Sequence, residues 1–299
     1  MRSKLYIAFA IDEDYIQHFT VALISILENN VGIPIEIFVL HDLINQEKLL
    51  ESSAFFLNVY DLKLNLLQID SSYFDLYPVS RLYPKAIYYR LLIAEIIPSY
   101  VDKLLYLDSD IVVTASLSDI LKLSFKLKNI FAAEDAVNSN IARMSSLGIE
   151  LKSYFNSGVL VINLDAWRKN QIGKELMLTL EHYKESIVLP DQDILNIYFR
   201  GDWGNLPQTF NPSNLDDFEN PKRIPVIIHY MGGSKPWHYL NTHRYKYLYW
   251  QYLKLSPYSE FKSKGYKYQI YFREEIFWLK QKTFQVISRV NRSVNRRKP

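Results

Sequence analysis

The sequence predicts an α/β domain built on a largely parallel sheet flanked by helices. Three observations carry this. Short apolar runs recur along the chain, and segments with helical spacing separate several of them. Those runs lack polar alternation, the pattern of strands covered on both faces. The 299 residues, 48% apolar and 22% charged, suffice for one large domain or two modest ones.

The elements follow in order. Leu5 to Ile11 reads as a buried first strand. Arg2 and Lys4 imitate the start of an export signal, but the apolar run meets Asp12, Glu13 and Asp14 at once, so a strand is expected there instead. Ile16 to Glu28 has helical spacing, with Phe19, Ala22, Leu23, Ile26 and Leu27 on one face. "IEIFVLHD" (Ile35 to Asp42) is the second strand. A helix is expected after it, with Asn45 as N-cap before Gln46, Glu47 and Lys48. "LNLLQID" (Leu64 to Asp70) is the third strand, and "AIYYRLLIAEII" (Ala86 to Ile97) a helix that stops at Pro98. "KLLYLDSDIVV" (Lys103 to Val113) reads as one fourth strand. "IFAAEDA", "VLVINL" and "PVIIHY" supply further short strands.

Composition narrows the chemistry. Cysteine is absent, so no disulfide forms and no thiolate binds zinc or attacks a substrate, which fits a reducing cytoplasm. No segment reaches the length of a transmembrane helix. Nine glycines include no dinucleotide fingerprint and no Walker loop, so a nucleotide here would be held without a glycine cradle. The 23 tyrosines suit carbohydrate and nucleotide surfaces only weakly as an argument.

Asp108 and Asp110 stand in the greasiest run of the chain. On a strand, residues i and i+2 share a face, so the two carboxylates would project together with Ser109 opposite. Two neighbouring buried carboxylates repel, and a divalent cation between them resolves the conflict; oxygen ligands favour Mg²⁺ or Mn²⁺. The mundane alternative is an Asp-x-Asp on a solvated turn. Further along, "IIHYMGGSKPWH" places His229 at a strand end, then Gly232 and Gly233 for a tight turn, then Lys235. An imidazole can complete a metal shell, and the turn with its lysine resembles a wall for an anion; a histidine ending a strand is otherwise a core or rim residue. "YFNSGVLVINL" begins with Asn156, Ser157 and Gly158, suited to hydroxyl binding or to a bulge. "LPDQDILN" reads as a helix start, where capping explains Asp191 or Asp193 but not Gln192.

Taken in order, the Asp near the N-terminus, the Tyr-Arg helix, Asp-x-Asp, Asn-x-Gly, Asp-Gln-Asp and His-x-x-Gly-x-x-Lys-Pro-Trp resemble the retaining glycosyltransferases of family 8. The likeness runs from "FAIDEDY" to "HYMGGSKPWH" and is most specific in "YYRLLIAEIIP…KLLYLDSDIVV". It implies a GT-A fold, a UDP-sugar donor, and Mn²⁺ (Mg²⁺ as substitute) held by Asp108, Asp110 and His229. It implies that Ala10, Asp12 and Tyr15 line the uridine pocket, with Asp12 on the uracil edge and Tyr15 stacked on it; Asp14 stands where some relatives carry Asn. Arg90 and Lys235 are expected on the diphosphate or donor sugar. Asn156, Asp191 and Gln192 are expected around the transferred hexose, and Asp135 at donor sugar or acceptor. Ser109, Gly158 and Gly232 are expected beside the donor. Gln192, Asp191, Lys235 and Arg90 are the candidate catalytic groups. The implied activity is transfer of a hexose, galactose first and glucose second, to a lipid-linked or protein-linked bacterial surface glycan. Two alternatives stay open: a non-catalytic sugar-nucleotide or glycan-binding module, and a self-glucosylating primer resembling glycogenin.

Charge divides the chain. From Phe261 onward there are 11 Lys and Arg against 2 acids, whereas the preceding 260 residues carry a net −6. Residues 1–257 are expected as the transferase domain and 258–299 as a basic amphipathic tail, either on an anionic membrane surface, at the inner face of the cell membrane, or packed on the body. Nucleic acid is not an expected partner, given the acidic body.

Overall fold

The computed structural model describes residues 4–80, 83–135, 138–213 and 224–263; the expected basic tail falls almost wholly outside them. The chain runs β1 (Leu5–Ile11), α1 (Ile16–Asn29), β2 (Ile35–His41), α2 (Glu47–Tyr60) and β3 (Leu64–Gln68). A 3₁₀ segment, Lys85–Leu92, leads into the short α3 (Ile93–Ile96). Then come β4 (Lys103–Leu107), β5 (Ile111–Val113), α4 (Ser118–Lys122), β6 (Ile130–Glu134), α5 (Asn138–Ser146) and β7 (Phe155–Asn163). The chain continues through α6 (Leu164–Lys169), α7 (Ile172–Tyr183), α8 (Pro190–Phe199), β8 (Gly204–Asn205), β9 (Ile227–His229) and α9 (Lys246–Leu253).

Seven strands form one sheet in the order β3-β2-β1-β4-β7-β6-β8. The β3-β2-β1-β4 half is parallel; β7 runs antiparallel to both β4 and β6, and β8 returns parallel to β6. Period-2 alternation assigns the two faces. Ile7, Phe9, Ile37, Val39, Leu105 and Leu107 face one core under α1 and α2, while Ala8, Phe38, Leu40, Leu104 and Tyr106 face the other under the 3₁₀ segment, α7 and α8. Both faces are covered, as the unbroken apolar runs require.

Three expectations change. Lys103 to Val113 is two strands, not one: β4 belongs to the main sheet, and β5 pairs with β9 in a separate two-stranded sheet packed between α1 and α9. Asp108 to Asp110 form the bend between them, so their shared direction does not come from strand alternation. Ala86 to Ile97 is mainly 3₁₀ and becomes α-helical only at α3. Tyr88, Tyr89, Arg90 and Leu91 are all buried, which places side chains around the whole circumference instead of on one face. At the start of α2, Asn45 accepts from Glu47 N at 3.0 Å and Gln46 occupies the cap position, one residue later than expected.

Candidate active site

The site lies where β1 and β4, adjacent and parallel, both end. Ligands bind at that carboxyl edge in open α/β sheets. Asp108 N–H still donates to Gly158 O of β7 at 2.8 Å; two residues on, Asp110 O accepts from Tyr230 N just after β9 at 2.9 Å. The bend is thus a fork at which the chain leaves the main sheet for the small one, and it draws β4, β7 and β9 together.

At the fork one ligand atom each of Asp108, Asp110 and His229 lies within 4.8 Å of the other two. His229 Nε2 is 3.2 Å from Asp110 Oδ1 and 3.7 Å from Asp108 Oδ2. A Cβ on Gly158 would fall 2.2 Å from His229 Cε1 and 2.7 Å from Asp108 Oδ2, so only glycine lets β7 pass beneath the cluster. The Ser109 hydroxyl is buried without a hydrogen-bond partner. Two carboxylates, one imidazole nitrogen and an orphaned hydroxyl fit a divalent cation and its ligands; Asp108, Asp110 and His229 would hold it.

Cations of the chain flank the cluster. Lys235 Nζ pairs with Asp110 Oδ2 and donates to Tyr230 O at 2.8 Å. Burial works to raise the Asp110 pKa, but Lys235 and His229 outweigh it and hold this carboxyl well below the usual carboxylate range. Arg90 is buried on the other side. It donates to Asp108 Oδ1 at 2.7 Å and Ser157 O at 2.8 Å, lies 3.1 Å from Asp191 Oδ2, and stacks 4.4 Å above the Tyr106 ring. The guanidinium therefore braces two carboxylates from below, and its charge is already matched.

Asp191 and Gln192 come from the first turn of α8, where Pro190 at N1 fixes the start. Both are buried. Asp191 accepts from Ser157 Oγ at 2.7 Å; burial raises its pKa and Arg90 offsets part of the rise. Gln192 Oε1 accepts from Ser157 N at 3.1 Å, and its Nε2 donates to Asp135 Oδ2 at 3.3 Å. Asp135 also accepts from Asn140 at 3.2 Å. Asn156, Ser157 and Gly158 sit at the start of β7, where the register against β6 shifts as a bulge would require.

Beside the cluster, Asp12 caps a 3₁₀ turn by accepting from Tyr15 N at 3.0 Å. Burial, aided by the charge of Asp14, pushes its pKa up to about 6. The Tyr15 ring meets Trp237 edge-on at 6.0 Å, and burial, then Asp110, Asp12 and Asp108, raise its pKa. Ala10, the penultimate residue of β1, is half-buried. Asp14 is exposed beside them. Gly232 takes φ +81°, the left-handed turn its lack of a Cβ permits.

The sequence profile of glycosyl transferase family 8 matches residues 6–241. The chain belongs to glycosyltransferase family 8. A lipopolysaccharide 1,2-glucosyltransferase of Escherichia coli is 33% identical over 254 residues, covering 79% of this chain and 74% of the relative. A lipopolysaccharide 1,3-galactosyltransferase of Salmonella typhimurium is 28% identical over 269 residues, covering 86% and 80%. The crystal structure of the galactosyltransferase LgtC with donor and acceptor sugar analogues superposes at a TM-score of 0.76 and 27% identity, covering 85% of this chain and 96% of that one. The fold of this family 8 chain is GT-A.

Sequence reasoning missed several supporting groups of this family 8 site. Asn211 Oδ1 accepts from His229 Nδ1 at 3.1 Å, and Asn196 holds both Phe155 N and Phe155 O at 2.9 Å. Tyr106 lies under Arg90. Asn196 stood within the noticed "LPDQDILN", but its partner is distant in sequence, and nothing local marks Asn211.

Proposed function

We propose that this family 8 glycosyltransferase moves a hexose, galactose or glucose, from a UDP-sugar to a bacterial surface glycan, lipid-linked or protein-linked, with retention at the anomeric carbon. The observation that carries the reading is the convergence of Asp108, Asp110 and His229 beside Asp191 and Gln192 at one sheet edge. The names of its relatives carry both sugars. A bound Mn²⁺ or Mg²⁺ supplies Lewis-acid neutralisation of the diphosphate.

The chain's own groups do the rest. Tyr15 and Asp12 receive the uracil, Asp12 through its carboxylate. Lys235, beside Asp110, meets the diphosphate and stabilises the charge that grows as the anomeric C–O bond breaks and its electron pair leaves with UDP. Asp191 and Gln192 border the sugar and stabilise its oxocarbenium character. Gln192 is held by Ser157 N and Asp135, and a neutral amide is a poor nucleophile. The acceptor hydroxyl therefore attacks on the face that UDP leaves, and its proton passes to a UDP oxygen. Arg90 keeps Asp108 and Asp191 in place from beneath.

A panel of UDP-sugars with Mn²⁺, scored by UDP release, tests this. One hexose donor should be turned over, and Asp110→Asn should lower the rate by about 10²–10³. Turnover of none by a folded protein would favour a non-catalytic binding module.

A further inference from the structure

A metal-binding imidazole must present a bare nitrogen to the ion, and what the other nitrogen does decides which one is bare. In this site the decision can be traced to a backbone group. Gly158 N–H can only donate, and it donates to Asn156 Oδ1 at 2.9 Å. That oxygen end is therefore fixed; the amide end of Asn156 faces the Met231 thioether, a weak acceptor, at 3.3 Å. Asn211 lies 2.8 Å from the same Asn156 Oδ1. Only its Nδ2 can stand there, since the reversed amide would set two oxygens against each other with no proton between. The remaining end of Asn211, its carbonyl oxygen, then faces His229 Nδ1 at 3.1 Å. A carbonyl oxygen accepts only, so Nδ1 carries a proton. Nε2 is left to face Asp110 and Asp108.

We infer that Asn211 is a positioning residue that keeps the proton on His229 Nδ1 and so commits His229 Nε2 to a cation held with Asp108 and Asp110. The inference deepens the proposed function and rests on its cation reading. Asn211 is 1% exposed, so the bond to His229 is not exchanged for water, and the imidazole rests over Gly158, where no Cβ intervenes. Asp110 already receives the Lys235 ammonium, which weakens its demand for a proton from Nε2. The relay also ties Asn156, expected at the donor sugar, to the metal ligand. Sugar and cation sites thus share one chain of hydrogen bonds that starts from the backbone of β7.

Two measurements test it. In the metal-free native protein, ¹⁵N NMR of labelled histidines should show His229 Nδ1 protonated whether or not Nε2 also carries a proton against Asp110, the signal assigned by its absence from His229→Asn. The opposite tautomer overturns the inference without touching the cation reading. Separately, Mn²⁺ affinity is read from the electron paramagnetic resonance of free Mn²⁺ during titration. Asn211→Leu, similar in size but unable to accept, should weaken binding about tenfold to a hundredfold. Asn211→Asp, which keeps an acceptor against Nδ1 but sets a second oxygen against Asn156 Oδ1, should restore part of it. Native-like Mn²⁺ affinity in folded Asn211→Leu overturns the inference. A native protein that shows the Nδ1–H tautomer but binds no Mn²⁺ overturns the cation reading and leaves the tautomer relay standing.

Discussion

At the scale of single residues, Asp12 gives the site a pH dependence of its own. Its carboxyl titrates near 6 because burial and Asp14 both oppose its charge. In the proposed pocket it accepts the uracil N3–H, and the ionised form, with two acceptor oxygens and no proton of its own, is the stronger acceptor. The sign follows: above about pH 6 the carboxylate is charged and competent, and below it the added proton competes with the uracil. Donor KM is expected to rise as pH falls through about 6, by at most about tenfold per unit and levelling off once the carboxyl is protonated, with a smaller change in kcat. Asp12→Asn accepts through its amide oxygen at every pH, so this limb should flatten. Donor saturation curves measured across pH for both proteins check it; an unchanged limb in Asp12→Asn would place the titrating group elsewhere. Gly158 shows the opposite kind of legibility. Its presence at a strand mouth was visible in the sequence, but the reason for it, the His229 ring packed where a Cβ would stand, exists only in three dimensions.

At the scale of elements, the N-terminus of α8 is organised by a group outside the proposed chemistry. Asp193 is fully buried. It accepts from Val188 N at 2.9 Å and Leu189 N at 3.0 Å, takes both Arg143 nitrogens at 2.6 and 2.7 Å, and bonds the Tyr154 hydroxyl. Removing it orphans two backbone donors and a partly buried guanidinium together. Asp193→Ala should cost about 3–5 kcal/mol, read as a shift of the urea midpoint at unchanged slope. A loss near that of an exposed pair, about 1 kcal/mol or less, would show that the first turn of α8 stands without this carboxylate. Capping was readable from "LPDQD", as was the placement of β1, α1 and β2, because each is decided by local pattern. The break at Asp108 was not. Lys103 to Leu107 and Ile111 to Val113 read as one continuous strand around Asp108 and Asp110, and the competing partners, β7 for the first half and β9 for the second, split it. The same holds for Lys85–Leu92, which has the residue pattern of an α-helix and winds as 3₁₀ until Ile93. The site was legible as a list of motifs in order; the fork that assembles them was not, because it depends on partners far apart in the chain.

At the scale of the whole molecule, the charge distribution sets how an acidic catalytic body would reach a lipid-linked acceptor. The residues before Phe261 carry a net −6, so an anionic surface repels them on average, and attraction must come from the net +9 that follows. The last described residues, up to Ser263, are anchored on the body. Tyr258 bonds Ser52 of α2 at 2.9 Å, and Phe261 stacks on Trp250 of α9 at 6.1 Å. Arg244, Tyr247, Trp250 and Lys254 line a shallow concavity along and beside that helix, so basic and aromatic groups adjoin the last described residues. Among the described residues no helix is long and apolar enough to cross a membrane, which leaves surface attachment to be tested directly. Each Lys or Arg near anionic lipid contributes about 1 kcal/mol, screened by salt. Deleting Lys267 to Pro299 removes most of that attraction and keeps Tyr258 and Phe261 on the body. The truncated protein should no longer sediment with anionic vesicles at physiological salt, while UDP release from soluble donor continues at the full-length rate, since every group placed at the site lies within residues 10–235. Undiminished vesicle binding by the truncated protein would refute the tail as anchor and move the contact to α9, where Lys254→Glu would then be the variant that abolishes it.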